Sequence, residues 1–435
     1  MNSGIKLWKK AIKIIPGGNS ILSKRPERYA PDIWPTYFKK AKGINVWDLD
    51  GKKYLDMAQM GIGSSILGYS NAEVNKAVSV AINEGISTTL NSKDELILAK
   101  KLLKLNKGFS SVKFARSGGE AMSIAVRIAR AYKKNSKIAF SGYHGWFDWY
   151  LATNLEKKSN LNQHLLPGLS TAGIPKSLKG SIYPFSYDDP KDFIRLLNKV
   201  SNIKIIVMES GRNNFPKKEF VETIMKIVKR KKLILICDEI TTGFRSNGKG
   251  LYKKVGLDPD LVVYGKGLGN GFAISAVVGK KNIMKSAQNT FISSSNWSER
   301  VGFVAASKTL DIIQKKKTWI HINNMGKVIA EGWKKIFKKY KLDITVSNFY
   351  PLITMKLNYN NLNNLILTYF IQEMLKKGYL ATSSIYVSYA HNEKDIKKYL
   401  RDADKVFEII SKNLNYNFLK KRLKTKVRTD SFKRL

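Results

Sequence analysis

The chain predicts an α/β protein, with a large, mostly parallel sheet covered by helices on both faces and a smaller α+β domain. Three observations carry this. From about residue 111, short apolar runs rich in β-branched residues alternate with stretches of helical periodicity, the pattern of a buried parallel sheet. Those runs lead into polar residues or glycine, at Ser117-Gly118-Gly119, Gly142-Tyr143-His144-Gly145, Glu209, Asp238-Glu239 and Gly265-Lys266-Gly267. After about residue 300 the rhythm changes to long helical stretches between short strands. These changes divide the chain into an N-terminal segment 1–60 that belongs with the small domain, a large α/β domain 61–310 and a C-terminal small domain 311–435.

In order, a short amphipathic helix (Leu7, Ala11, Ile14) ends at Pro16-Gly17-Gly18. Two strand-like pieces, Ile44 to Asp48 and Tyr54 to Asp56, flank Asp50-Gly51, a hairpin signal. Helices are expected around Val74–Ala81 and Glu95–Leu105. Strands follow at Val112–Phe114, Ile138–Phe140, Ile205–Met208, Leu233–Cys237 and Val262–Tyr264, with a helix from Glu120 to Tyr132 after the first. The C-terminal part reads as helices near 301–313, 333–337, 361–377 and from Glu393. Strands lie between them at 344–346, 352–357 and 384–389.

Composition excludes several classes. No apolar run reaches the roughly 18 residues of a membrane span, and no signal-peptide pattern opens the chain. The single cysteine, Cys237, rules out an internal disulfide framework and fits a reducing cytoplasm. The net charge of +44 invites a nucleic-acid reading. However, the lysines are spread along the whole chain, and only 420–428 forms a basic cluster, which reads as a solvated helix end. The four histidines have no metal-ligand spacing with one another or with Cys237.

Lys266 stands at the end of an apolar run in a glycine-dense turn. Desolvation at such a strand end favours a neutral, nucleophilic amine. Taken alone it is a loop lysine in a lysine-rich chain. Its company changes that. Ser117-Gly118-Gly119 at a helix start offers N–H groups, a hydroxyl and a positive dipole end to a phosphate. Tyr143 could lay its ring on a flat heterocycle, and Asp238, ending a buried strand, needs a cationic partner such as a pyridinium nitrogen. Phosphate seat, aromatic, aspartate and lysine, in that order, are the parts that hold pyridoxal phosphate.

With these residues quoted, the chain resembles the class III, fold-type I pyridoxal-phosphate aminotransferases, in the branch around glutamate-1-semialdehyde 2,1-aminomutase. The likeness spans nearly the whole chain. It runs from Ile15-Pro16-Gly17-Gly18 through Arg116-Ser117-Gly118-Gly119-Glu120-Ala121 and Tyr143-His144-Gly145. It then takes in Asp238-Glu239-Ile240-Thr241-Thr242-Gly243-Phe244-Arg245 and Lys266, and ends at Ser388-Tyr389-Ala390-His391. The resemblance implies Lys266 as the internal-aldimine lysine and proton shuttle, and Asp238 as the partner of the ring nitrogen. It implies phosphate contacts from Ser117, Gly118 and Gly119, and Tyr143 stacked on the ring. Thr241 would lie near the ring's phenolic oxygen, and Ser295 would reach the neighbouring subunit's phosphate in a homodimer with shared sites.

The departures lie on the substrate side. Gly119 replaces threonine, Ser210 replaces proline after Glu209, and 212–214 and 291–300 match the aminomutase poorly. The 291–300 segment is similar to that of homologues accompanying surface-carbohydrate biosynthesis. Arg212, Asn214 and Arg245 are candidates for the substrate side, and either arginine could hold a carboxylate bidentately or form a structural ion pair. The expected activity is therefore amino transfer between a small-molecule donor and a carbonyl acceptor through pyridoxamine phosphate. The alternatives are the aminomutase reaction, which makes 5-aminolevulinate, and a non-catalytic basic nucleic-acid-binding protein, which would not need Asp238 or Lys266.

Overall fold

The computed structural model of the protein describes residues 2–134 and 137–432. It divides into two units, Met1–Asn71 with His321–Leu435, and Ala72–Ile320.

In the first unit, β1 (Phe38–Lys42), β2 (Asn45–Asp48) and β3 (Lys53–Met57) pair in antiparallel fashion. The Asp-Gly turn between β2 and β3 is made by Asp48, whose Oδ1 accepts the N–H groups of Asp50 and Lys52 at 3.0 and 2.9 Å. β1 was not expected, because Phe38-Lys39-Lys40-Ala41-Lys42 has little apolar patterning and is mostly exposed.

The second unit holds β4 (Ser111–Ala115), β5 (Lys137–Ser141), β6 (Ile182–Pro184), β7 (Ile203–Glu209), β8 (Ile234–Asp238), β9 (Leu261–Tyr264) and β10 (Ser275–Gly279). Their spatial order is β4-β10-β9-β8-β7-β5-β6. The pairs from β6 to β9 are parallel, whereas β10 runs antiparallel to both β4 and β9. β8, β9 and β10 are buried at every residue, which is why β8 and β9 read as apolar runs rather than alternating ones. The helix Gly118–Lys133 packs Ala121, Met122, Ile124, Ala125 and Ile128 into this core. Register sets Glu209 opposite Asp238 and Asp238 opposite Val263, so chemistry-bearing residues share the carboxyl end of the sheet.

The first unit is completed by β11 (Ile344–Val346), β12 (Leu352–Leu357), β13 (Tyr379–Ala381) and β14 (Ser384–Tyr386). β13 pairs in parallel with β3, so both ends of the chain build one sheet. The basic tail does not behave as a solvated helix end throughout. The helix stops at Arg422, and the extended chain beyond it docks through Lys424 N–H on Gln372 Oε1 (2.6 Å) and Lys426 N–H on Asp32 Oδ2 (2.7 Å).

Candidate active site

The helix Gly118–Lys133 opens where β4 ends. Ser117 is its N-cap: Oγ accepts the Glu120 N–H at 3.3 Å, and Glu120 Oε2 accepts the N–H groups of Ser117 (2.7 Å) and Arg116 (3.0 Å). This capping box fixes the entry of the chain. Burial disfavours the charged Glu120, but the bonds from Ser117 and the Trp297 indole outweigh it and hold the carboxyl below its usual range. The following N–H groups, of Gly118 and Gly119, have no acceptor within the helix and carry its positive end. Bare backbone is required there. A Cβ on Gly118 would stand 2.8 Å from Ile240 Cδ1, and one on Gly119 2.8 Å from Phe147 Cε2.

Asp238 ends β8 and is buried. Its Oδ1 accepts the Ile240 N–H at 2.9 Å, while Oδ2 lies 2.9 Å from His144 Nδ1. The other ring nitrogen of His144 is 3.2 Å from the Ser141 carbonyl. A carbonyl only accepts, so Nε2 carries hydrogen and a proton is shared between Nδ1 and Asp238. The sequence reading weighed His144 only as a metal ligand and missed this pairing. The usable signal was its place in Gly142-Tyr143-His144-Gly145, just past β5, whose carboxyl end lies two parallel strands from that of β8.

Lys266 follows β9 in a left-handed backbone conformation (φ 41°), an uncommon one for a side chain of this size. Its Nζ donates to Thr241 Oγ1 at 2.7 Å. Thr241 belongs to the same turn as Asp238, and its carbonyl accepts Arg245 Nε at 2.9 Å. Arg245 is 1% exposed, so it braces this turn from inside rather than facing an open pocket. Glu239 is turned inward too, accepting the Thr242 hydroxyl and the Tyr252 N–H (2.7 Å), and burial pushes its carboxyl up.

Tyr143 is half-buried, and its N–H donates to Glu209 Oε2 at 3.1 Å. Arg212 Nη1 lies 3.4 Å from that oxygen and donates to the His164 carbonyl at 3.0 Å. Arg212 is therefore tied to Glu209 but keeps 38% of its side chain exposed, while Asn214 is exposed beside it. His164 Nδ1 accepts the Gly142 N–H at 3.1 Å, and burial lowers its pKa to about 4.

Ser295 is exposed on the turn Ser295–Ser298. Two links fasten that turn to the helix start: Arg116 donates to the carbonyls of Asn296 (2.7 Å), Trp297 (3.2 Å) and Glu299, and Trp297 Nε1 donates to Glu120 Oε1 (3.3 Å). Neither Arg116 nor Trp297 had been singled out as a site residue. The structure thus joins Lys266 to Thr241, Asp238 to His144 and the seat at Gly118 to Ile240, and the Ile240 N–H returns to Asp238.

A model of the family described as aminotransferase class-III matches residues 29–384. The chain belongs to this family. Among class-III relatives, it is 30% identical over 405 residues to the 3-aminobutyryl-CoA aminotransferase of Cloacimonas acidaminovorans, covering 90% of this chain and 93% of the relative. It is 30% identical over 453 residues to the glutamate-1-semialdehyde 2,1-aminomutase of Campylobacter hominis, covering 98% and 97%. Among solved structures, a pyridoxal-phosphate form of the FumI protein of Sphingopyxis sp. MTA144 superposes with a TM-score of 0.85 at 22% identity over 98% of each chain. That likeness identifies the fold as the fold-type I transaminase architecture.

The class-III cofactor is pyridoxal 5'-phosphate, and the residues here fit it. A glycine backbone at a helix N-terminus suits its phosphate. A buried carboxylate suits a pyridinium, and an amine held by a single hydroxyl suits reversible attachment.

Proposed function

We propose that the chain is a class-III aminotransferase that moves an amino group from a small-molecule donor to a separate carbonyl acceptor. The observation that carries the reading is the Lys266 amine, held at 2.7 Å by Thr241 in the turn that Asp238 begins. Gly118, Gly119 and the Ser117 hydroxyl hold the phosphate, Tyr143 flanks the ring, and Asp238 faces the ring nitrogen. Bound there, pyridoxal phosphate supplies an electron-accepting ring and a carbonyl that takes up and releases amino groups.

The rest falls to the chain's own residues. Asp238, oriented by Ile240 and His144, keeps a proton on the ring nitrogen. Thr241 positions the Lys266 amine, which takes a proton from one carbon and returns it to another. Arg212, half exposed beside Glu209, is the candidate for a substrate carboxylate. Arg245, turned into the fold, leaves that role to it.

The first relative's printed activity supports transfer between separate partners, and so do the departures at 212–214 and 291–300. The names of several aminomutase relatives support a second reading, rearrangement within glutamate 1-semialdehyde. Ser295, exposed on a turn fastened by Arg116 and Trp297, supports a homodimer in which its hydroxyl serves the other subunit's phosphate. The lone cysteine supports a reducing, cytoplasmic setting.

The test is a panel of amino donors given in single turnover, with the keto product assayed. Release of a keto acid from one donor, followed by transfer to an added carbonyl acceptor, is expected. Turnover of glutamate 1-semialdehyde to 5-aminolevulinate without any donor would instead establish the aminomutase. Equilibrium sedimentation checks the dimer, and a monomer with bound cofactor would remove the role given to Ser295.

A further inference from the structure

The first unit contains a cavity of about 160 Å³ whose polar wall includes Ser23, Arg28, Gln59, Thr382, Ser383 and Arg428. Among the described residues no carboxylate lines it. Its two arginines lie 400 positions apart in sequence, yet Arg428 Nε donates to the Arg28 carbonyl at 2.9 Å. Arg428 is clamped further by Nη1 on Asn364 Oδ1 and by its N–H on Thr368 Oγ1 (3.0 Å). Its guanidinium is thus oriented in advance, and Nη2 has no protein acceptor among the described residues. Arg28 Nη1 is buried and has no hydrogen-bond partner among the described residues.

Neither arginine forms an ion pair among the described residues. Asp430 is the only carboxylate among the leading influences on either one. Burial lowers both guanidiniums, and for Arg428, which falls to about 10, the charge of Arg28 adds to the effect. Two like charges in a shared, partly desolvated cavity are costly unless a counter-charge meets them. Guanidinium forks match tetrahedral oxyanions in geometry as well as charge. The Ser23 and Ser383 hydroxyls and the Gln59 amide supply further donors, while Thr382 gives its proton to the Ser384 carbonyl at 2.8 Å, and Leu367 and Ile371 close the apolar side.

We propose that this cavity binds a compact dianionic oxyanion of the phosphate class, gripped between Arg28 and Arg428. The site is separate in its residues from the seat at Ser117–Gly119, and it does not depend on the cofactor chemistry. Arg428 was hidden in the sequence inside a basic run that reads as solvated tail.

The experiment is calorimetric titration of the cofactor-saturated protein with inorganic phosphate, saturation keeping the Ser117–Gly119 seat filled. One phosphate per chain is expected, with acetate binding at least tenfold more weakly. Arg28→Gln and Arg428→Gln should each weaken phosphate at least tenfold while cofactor content stays unchanged. Arg428→Lys should recover part of the loss. Ser383→Ala, a milder change, should weaken binding a few-fold and keeps the test decisive if an arginine variant does not fold. Methyl phosphate binding as tightly as phosphate would assign a phosphorylated molecule as the ligand, and much weaker binding would assign free phosphate. Absence of phosphate binding, acetate binding equally well, or phosphate affinity unchanged in the variants would each overturn the proposal. Cofactor attachment at Lys266 is read separately, so failure here leaves the aminotransferase reading standing.

Discussion

Asp238 at the end of β8 has both oxygens engaged, one by the Ile240 N–H and one by His144, whose far nitrogen is itself held by Ser141. In the first unit, Arg28 keeps a buried Nη1 with no partner among the described residues, and of these a second arginine rather than a carboxylate shares its cavity. Both sites take charge out of water. The first has groups of the chain on both carboxylate oxygens, which fix its orientation. The second is left open, which is the mark of a charge awaiting a ligand.

The comparison can be broken most forcefully at the strand ends. Lys266→Ala should lower kcat by about a thousandfold or more, since it removes both the attachment point and the proton-transfer group. Rapid-quench assays with a competent donor check this. Asp238→Asn should cost about a hundredfold in kcat with little loss of stability. Asparagine can still accept the Ile240 N–H and can donate to His144, so the scaffold survives while the charge is lost. Thermal melts beside steady-state rates separate the two effects.

Acid sharpens the contrast next. Burial lowers His164 and His391 to about 4, from an ordinary 6.5. Both are bases depressed in the folded state, so the stability they contribute is present above about pH 6.5 and drains as pH falls towards 4. The loss is roughly 3 kcal/mol for each. His164 holds the Gly142 N–H beside Tyr143, so His164→Gln should reduce the acid sensitivity measured by denaturant titration between those values. The smaller effects concern packing and the open charge. Gly119→Thr should destabilise by about 1–3 kcal/mol because of the Phe147 ring, and a compensating Phe147→Leu should recover much of it. Arg28→Met, in phosphate-free buffer, should be neutral or stabilising by about 1 kcal/mol in thermal melts.

The same contrast explains what could be read from the chain. The apolar runs before Asp238 and Lys266 are buried on both faces, so their strands, and the motif residues just beyond them, stood out in sequence. β10 did not, because Ser275-Ala276-Val277-Val278-Gly279 follows a glycine-rich turn and owes its place to antiparallel pairing with the preceding β9 and the distant β4. Nor did the His144–Asp238 bond, which spans 94 positions, or the bracing of the Ser295 turn by Arg116 and Trp297. In sequence Arg245 read equally as a substrate contact or a structural pair. The structure places its Nε on the Thr241 carbonyl, a contact that sequence spacing does not display.

The measurement closest to the central claim is borohydride reduction of the purified, cofactor-loaded protein, followed by peptide mass mapping. The account predicts the cofactor mass on the peptide containing Lys266, and its absence from that peptide in Lys266→Ala. Cofactor retained on a different lysine of the wild-type protein, with Lys266 unmodified, would contradict it.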